Sequence, residues 1–420
     1  MPGLLLRDGR PWGTGGPTDL LVSGGRITKV GPGLAAGDAE VVELGGRLVL
    51  PGLVEAHCHL DKTLYGGPWR PHSAGPALAD RITDERLRRA ELGLPDPARV
   101  SALLETMAAA GTTHVRTHTD VYAGFPGGRV AEPPARGAVP TVTAGTGLTG
   151  VEVVRDTAAR LAGRITVEQV AFPQSGILTN PGTAALLEEA IKLGVHAVGG
   201  IDPAGLDRDP VRHLDVVFGL AERHGVRIDL HLHDPGSLGV FELELIIERT
   251  RAAGLAGRVT VSHAYALGQA DAATQDRLAE GLADAGVTIT TAAVFDFPVP
   301  PVKKLRAAGV NVACGHDDIR DLWSPYGSGD LLDRAMHLAY RSAFRRDEDI
   351  ELALEAVTYG GAKALGLAGY GLAEGSPADL VVVDAETPAH AVVTRPPRDL
   401  VVKAGHIVAR TDALSRPPRG

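Results

Sequence analysis

A (β/α)8 barrel joined to a small β domain is the fold class this sequence predicts, on three observations. Short β-type runs with tight turns occupy both ends of the chain, the middle alternates strand with helix, and the alternation occurs eight times. At 420 residues the chain has room for such a barrel and a smaller unit.

Residues 4–50 alternate Val, Leu and Ile runs with Gly, Pro and Asp turns, as in DLLVSGGRITKVG and AEVVELGGRLVL, which is the texture of short antiparallel strands. The same texture returns in DLVVVDAE (379–386) and AVVTRPPRDLVVKAGHIVAR (391–410), so the two ends are expected to pair into one sheet domain. The expected division gives residues 1–52 and 369–420 to that domain and 53–368 to the barrel. The final SRPPRG reads as a frayed tail.

Eight strand candidates fill the middle: LVEAHCHL (53–60), HVRTHTD (114–120), ITVEQVAFP (165–173), HAVGGI (196–201), RIDLHLH (227–233), RVTVSHA (258–264), VTITTAAV (287–294) and VNVACGHDD (310–318). Segments such as ARVSALLETMAAAGT, TAALLEEAIKLGV and DPVRHLDVVFGLAERHG separate them, with helical periodicity and a Gly near each end. An open doubly wound sheet is the competing architecture. It would be favoured by a Gly-rich phosphate loop, and no GxGxxG or Walker pattern follows any of these strands.

The formal net charge is -9 and no Lys/Arg cluster occurs, which argues against nucleic acid or an anionic membrane as partner. A small molecule is the expected partner, and homo-oligomer formation is left open. Only two cysteines are present, Cys58 and Cys314, without a CxxC, so neither a disulfide framework nor a zinc knuckle is indicated. No signal-peptide pattern opens the sequence and no apolar run approaches the ~20 residues of a membrane helix, as expected of a cytoplasmic protein.

In such barrels the functional site gathers at the C-terminal strand ends, and polar residues fall there on nearly every strand. They are His57 and His59, His118 and Asp120, Gln174, then His231, His233 and Asp234, His263, and finally His316, Asp317 and Asp318. Strand alternation turns His57 and His59 to one face and Cys58 to the other. An H-x-H alone is balanced between strand packing and metal binding. With His231 and Asp317 it becomes a set of three imidazoles and one carboxylate that suits one divalent ion, Zn2+ or Fe2+, with a position open for water. His263 and Asp234 are then placed to move protons. His118 and His233 read equally as structural hydrogen bonders or substrate contacts and stay outside the metal set.

The segments PGLVEAHCHLDKT, GTTHVRTHTDV, VAFPQSGIL, HLHD, VSHA and ACGHDDIRDLWSPYGSGDLL together resemble the amidohydrolase superfamily, in its cytosine deaminase-like group. GLAEGSPADLVVVDA is similar to the stretch by which those chains return to a small β-sandwich domain. The resemblance implies one catalytic metal on His57, His59, His231 and Asp317, with His263 directed at water or substrate. It puts Asp234 where cytosine deaminases carry a proton-shuttling glutamate, sets Gln174 against the amide-like face of the ring, and brings Asp318 and Trp323 close to substrate.

Some features depart from that pattern. Asp234 is one methylene shorter than glutamate, Ser175 follows Gln174 where cytosine deaminases have glutamate, and TTAAVFDFPVP lacks their Asn-Pro. The two-metal branch needs a lysine at the end of strand four; here that strand reads VHAVGGIDPAG and Lys192 precedes it on a helix, which favours a mononuclear centre. The activity implied is metal-dependent hydrolytic deamination of an aminated heterocycle, a cytosine-like pyrimidine or related ring, releasing ammonia. The alternative is removal of an N-alkyl amine from a triazine-like ring, as in isopropylammelide hydrolysis, and a silent metal-binding protein is the remaining reading. Lys62 receives no role from the sequence.

Overall fold

The computed structural model describes residues 3–75, 78–123 and 147–415, so residues 416–420 of the tail lie outside it. The N-terminal stretch forms β1 (Leu4–Pro11), β2 (Thr18–Ser23), β3 (Arg26–Gly31), β4 (Glu40–Glu43) and β5 (Leu48–Pro51). The barrel strands follow: β6 (Leu53–Cys58), β7 (Thr112–Asp120), β8 (Thr166–Phe172), β9 (Ala197–Ile201), β10 (Arg227–Leu232), β11 (Val259–His263), β12 (Thr288–Thr291) and β13 (Val312–Cys314). The C-terminal stretch adds β14 (Leu380–Val383), β15 (Arg398–Lys403) and β16 (His406–Arg410).

The outer sheet runs β16-β15-β14-β5-β1-β2-β3, with β4 beside β1. Because β14 pairs with β5, the two ends of the chain interleave and neither completes the sheet alone. Its pairs are antiparallel except those of β1 with β4 and β5, which are parallel. Alternating side chains such as Leu6, Leu20, Val22, Val49, Leu380 and Val382 close on one another, giving the β-sandwich domain its own core.

The eight strands β6 to β13 form one parallel sheet in chain order. The two edges meet where Cys58 bridges Asp317, the Asp317 amide donating to the His57 carbonyl at 2.8 Å. Most barrel strands are a residue or two shorter than the sequence suggests, and two are shorter by half or more. β12 stops at Thr291 and β13 at Cys314, because the chain beyond turns out of the ladder, with Ala293 and Asp317 at φ of 49° and 65°.

Helices shield the outer face of the sheet. Asp96, Asp209 and Asp271 cap the helices Pro97–Ala109, Pro210–His224 and Ala272–Ala285 by accepting from backbone amides of their first turns. The latter two helices end in left-handed Gly225 and Gly286, which lack the Cβ that makes this conformation costly. Strand residues Val198, Leu230, Val261 and Ile289 share one apolar core with Leu214, Val217, Leu243 and Leu282 of the helices. A further helix, Leu78–Glu91, lies in the connection after β6. Its pattern is polar and charged, so apolar periodicity does not announce it. Among the described residues no helix is long and apolar enough to cross a membrane.

Candidate active site

Strand alternation on β6 carries Glu55, His57 and His59 to the barrel interior. Cys58 points the other way, into an apolar cluster with Leu60, Val100 and Leu103, and burial raises its thiol pKa well above the ordinary value. Glu55, which sequence reading passed over, ties the first strand to the eighth. Its carboxylate accepts from the His57 amide at 2.9 Å, the His316 amide at 3.0 Å and His316 Nδ1 at 2.5 Å. His316 is thereby a structural residue. Gly315 makes this closure fit: a Cβ there would lie 2.2 Å from Glu55 Oε1 and 2.5 Å from the His57 amide nitrogen.

The four residues read as a metal set come together at the barrel mouth. Asp317 Oδ1 lies 3.3 Å from His57 Nε2 and 3.4 Å from His59 Nε2, and His59 Nε2 lies 3.4 Å from His231 Nε2. A tetrahedral site with ligands at about 2.1 Å places ligand atoms roughly 3.4 Å apart, so these separations fit a divalent ion. His57, His231, His263 and Asp317 also converge, each offering a ligand atom within 4.8 Å of the others. That grouping exchanges His59 for His263. His59 groups instead with Asp317 and Asp318, so Asp317 is common to both groupings.

The surroundings prepare these groups for a cation. His57 Nδ1 lies 2.9 Å from Ser262 Oγ, whose hydroxyl donates to Asp229 at 2.7 Å. That leaves His57 Nε2 buried with no hydrogen-bond partner among the described residues. Burial holds His59, His231 and His263 well below the usual imidazole pKa, so they present lone pairs. Burial opposes ionisation of Asp317, but His263, His57 and His59 around it hold its carboxyl well below the usual range. His118 sits beneath the cluster, its ring centroid 4.2 Å from that of His57 and its Nε2 3.3 Å from Asp229 Oδ1.

Asp234, read from the sequence as the proton shuttle, is engaged by neighbouring groups. Its carboxylate accepts from the Gly205 amide at 2.7 Å and meets Glu242, and it does not line the cavity beside the cluster. His233 does line it, with its ring 4.4 Å from that of His263. Asp202, at the end of β9, accepts from the His233 amide at 2.6 Å and from Nδ1 at 2.9 Å. His233 and Asp234 both lie just past the end of β10, where Asp202 holds the His233 amide and ring while the Gly205 amide and Glu242 hold the Asp234 carboxylate. Asp202 also occupies the end of strand four, and Lys192 is exposed on its helix, paired with Glu189.

The cavity has a volume of about 380 Å³ and touches His59, His231 and Asp317. The three expected substrate contacts Gln174, Asp318 and Trp323 are among its lining residues. Tyr265, Phe295 and Phe297 add aromatic rings to the lining, the Tyr265 and Phe297 rings stacking at 5.0 Å. Lys62, for which the sequence offered no role, is buried and also lines the cavity. It donates to Gln174 Oε1 at 2.8 Å and pairs with Asp120 at 3.4 Å and Glu85 at 3.8 Å. Glu85 also accepts from Trp323 Nε1 at 2.5 Å. Arg89 joins Asp61, Glu85 and Asp120 at 2.7–2.9 Å, completing a buried charge layer behind the substrate contacts.

A parallel barrel whose first, fifth and eighth strands carry this His/Asp cluster to the edge of a polar and aromatic cavity defines the class: a barrel hydrolase able to bind a metal. The chain belongs to the amidohydrolase family, whose pattern matches residues 40–409, and within that superfamily to the cytosine deaminase-like group. It is 30% identical over 410 residues to the N-isopropylammelide isopropyl amidohydrolase of Pseudomonas sp. (strain ADP), covering 94% of each chain. It is similar to the crystal structure of N-isopropylammelide isopropylaminohydrolase from Burkholderia multivorans ATCC 17616, with a TM-score of 0.89 at 45% identity over 98% of this chain and 99% of that one. For 5-methylcytosine deaminase from Klebsiella pneumoniae liganded with 5-fluorocytosine the TM-score is 0.81 at 27% identity, over 97% and 98% of the two chains.

Proposed function

We propose that this enzyme hydrolyses the bond between a heterocyclic ring carbon and an exocyclic amine. The observation that carries the reading is the cluster of His57, His59, His231 and Asp317, in which the His57–Asp317, His59–Asp317 and His59–His231 ligand atoms are 3.3–3.4 Å apart, bordering a cavity lined by hydrogen-bonding groups and aromatic rings. Those four residues would hold a single zinc or iron(II) ion. Such an ion supplies Lewis acidity that brings the pKa of water near neutrality.

The remaining steps belong to the protein. Lys62 occupies Gln174 Oε1, so the Gln174 amide group is left to donate to a ring carbonyl or ring nitrogen. Asp318 accepts from a ring N–H, and the Trp323 indole, fixed by Glu85, supports the ring from the side. His233 gives Nδ1–H to Asp202, which leaves Nε2 to accept a proton from the attacking water and deliver it to the departing nitrogen. Proton transfer to that nitrogen makes the amine a viable leaving group. His263, buried beside Asp317, helps to orient the water.

The leaving group is ammonia in the first reading and an alkylamine in the second. The second is favoured by the aromatic rings of Tyr265, Phe295 and Phe297 and by the similarity to two N-isopropylammelide hydrolases. A screen of amino- and alkylamino-substituted pyrimidinones and triazinones, read as released ammonia or alkylamine, tests both. Release from at least one ring is expected. No release from either series, by protein loaded with zinc or iron(II), would contradict the proposal.

A further inference from the structure

The helix Leu78–Glu91 brings Arg81, Glu85 and Arg89 onto one face, since residues four apart are neighbours on a helix. Two of the three are buried and bound. Glu85 holds Trp323 and Lys62, and Arg89 holds Asp61 and Asp120, which fixes this face against the barrel mouth. Arg81 is one turn further out, half-buried, and lines the cavity.

Arg81 and Lys62 are the Lys and Arg side chains on the described cavity wall, and they differ in one respect. The Lys62 charge is matched by Asp120 and Glu85. Arg81 makes no hydrogen bond or ion pair that the described residues show, while its neighbours are engaged: Arg88 with Asp84, Arg89 with its three carboxylates. Of the two carboxyls that line the cavity, Asp317 belongs to the His/Asp cluster and Asp318 is hydrogen-bonded to Asp321. A guanidinium is always charged and offers paired N–H donors in one plane, the geometry that binds a carboxylate or an O–C–N anion in two-point fashion. We propose that Arg81 is a specificity-determining residue that binds an anionic group on the ring held in this cavity, either a carboxylate substituent or a ring oxygen ionised near neutral pH. The inference rests on the heterocycle reading above and narrows it to anionic rings.

Equilibrium binding to the protein as purified tests this without requiring turnover. The probes are two matched pairs measured above neutral pH: 2-hydroxypyrimidine-4-carboxylate against its carboxamide, and 2,4-dihydroxy-1,3,5-triazine against its dimethoxy counterpart. Wild type should prefer the anionic member of at least one pair by about tenfold or more, the usual worth of a hydrogen-bonded charge. R81Q should bring that ratio toward unity and R81K should keep part of it. Preference in the first pair alone identifies a carboxylate substituent, and in the second alone an ionised ring oxygen. Equal binding of both members, binding of neither, or a preference that survives R81Q would overturn the role of Arg81. A preference that depends on Arg81, in a protein that releases no amine from any ring, would sustain it and refute the proposed function instead.

Discussion

At the scale of single residues the choice between His233 and Asp234 decides how protons reach the leaving group. His233 lines the cavity with Nδ1 committed to Asp202, whereas Asp234 is spent on Gly205 and Glu242. His233→Gln should therefore keep its metal and lose turnover by about a hundredfold or more, the range expected for a positioned acid or base. Asp234→Asn should cost much less. Steady-state kinetics with metal analysis of both variants gives the comparison, and a larger loss in Asp234→Asn would return the shuttle to Asp234. Lys62 could not be assigned from the sequence because its partners Gln174, Asp120 and Glu85 come from three separate parts of the chain. No spacing rule reaches across them.

The decisive element is the seam between β6 and β13. Asp317 can join His57 and His59 because Glu55 clamps the two strands and the chain at Gly315 passes without a side chain. Gly315→Ala forces a methyl group against Glu55 and the His57 backbone, so it should lower stability by about 1–3 kcal/mol, as overpacking does, and reduce metal content with it. Thermal unfolding and metal analysis check both. An alanine variant with wild-type stability and full metal content would show that the seam has slack. Strands were the legible elements, since β-branched runs ending in polar residues mark both the strand and its functional end. The helix Leu78–Glu91 was not legible: it is held by buried ion pairs of Glu85 and Arg89, and such pairs leave no apolar stripe in the sequence.

Across the whole molecule, barrel architecture and interleaved termini follow from patterns repeated over many residues, where single misreadings average out. The cavity depends on loop side chains and on which of two adjacent polar residues faces inward, and such choices need the fold. The same fold buries titratable groups with consequences for stability. Glu242 is pushed up to about 8, chiefly by burial and also by Asp234. Its folded pKa exceeds the unfolded one, so its stabilisation is complete below the ordinary glutamate range and is lost as pH rises toward that value. The thermal midpoint should accordingly fall between about pH 4.5 and 8. Glu242→Gln, which does not titrate, should flatten that fall; an unchanged slope would remove Glu242 as its source.

The central claim is that amine release depends on an ion held by His57, His59, His231 and Asp317. It is tested most directly by measuring amine release against bound metal while the protein is stripped with a chelator and reloaded, with folded Asp317→Ala as control. Activity should rise in proportion to metal up to a single ion per chain, and Asp317→Ala should neither retain the ion nor regain activity. Undiminished release from metal-free protein would contradict the account.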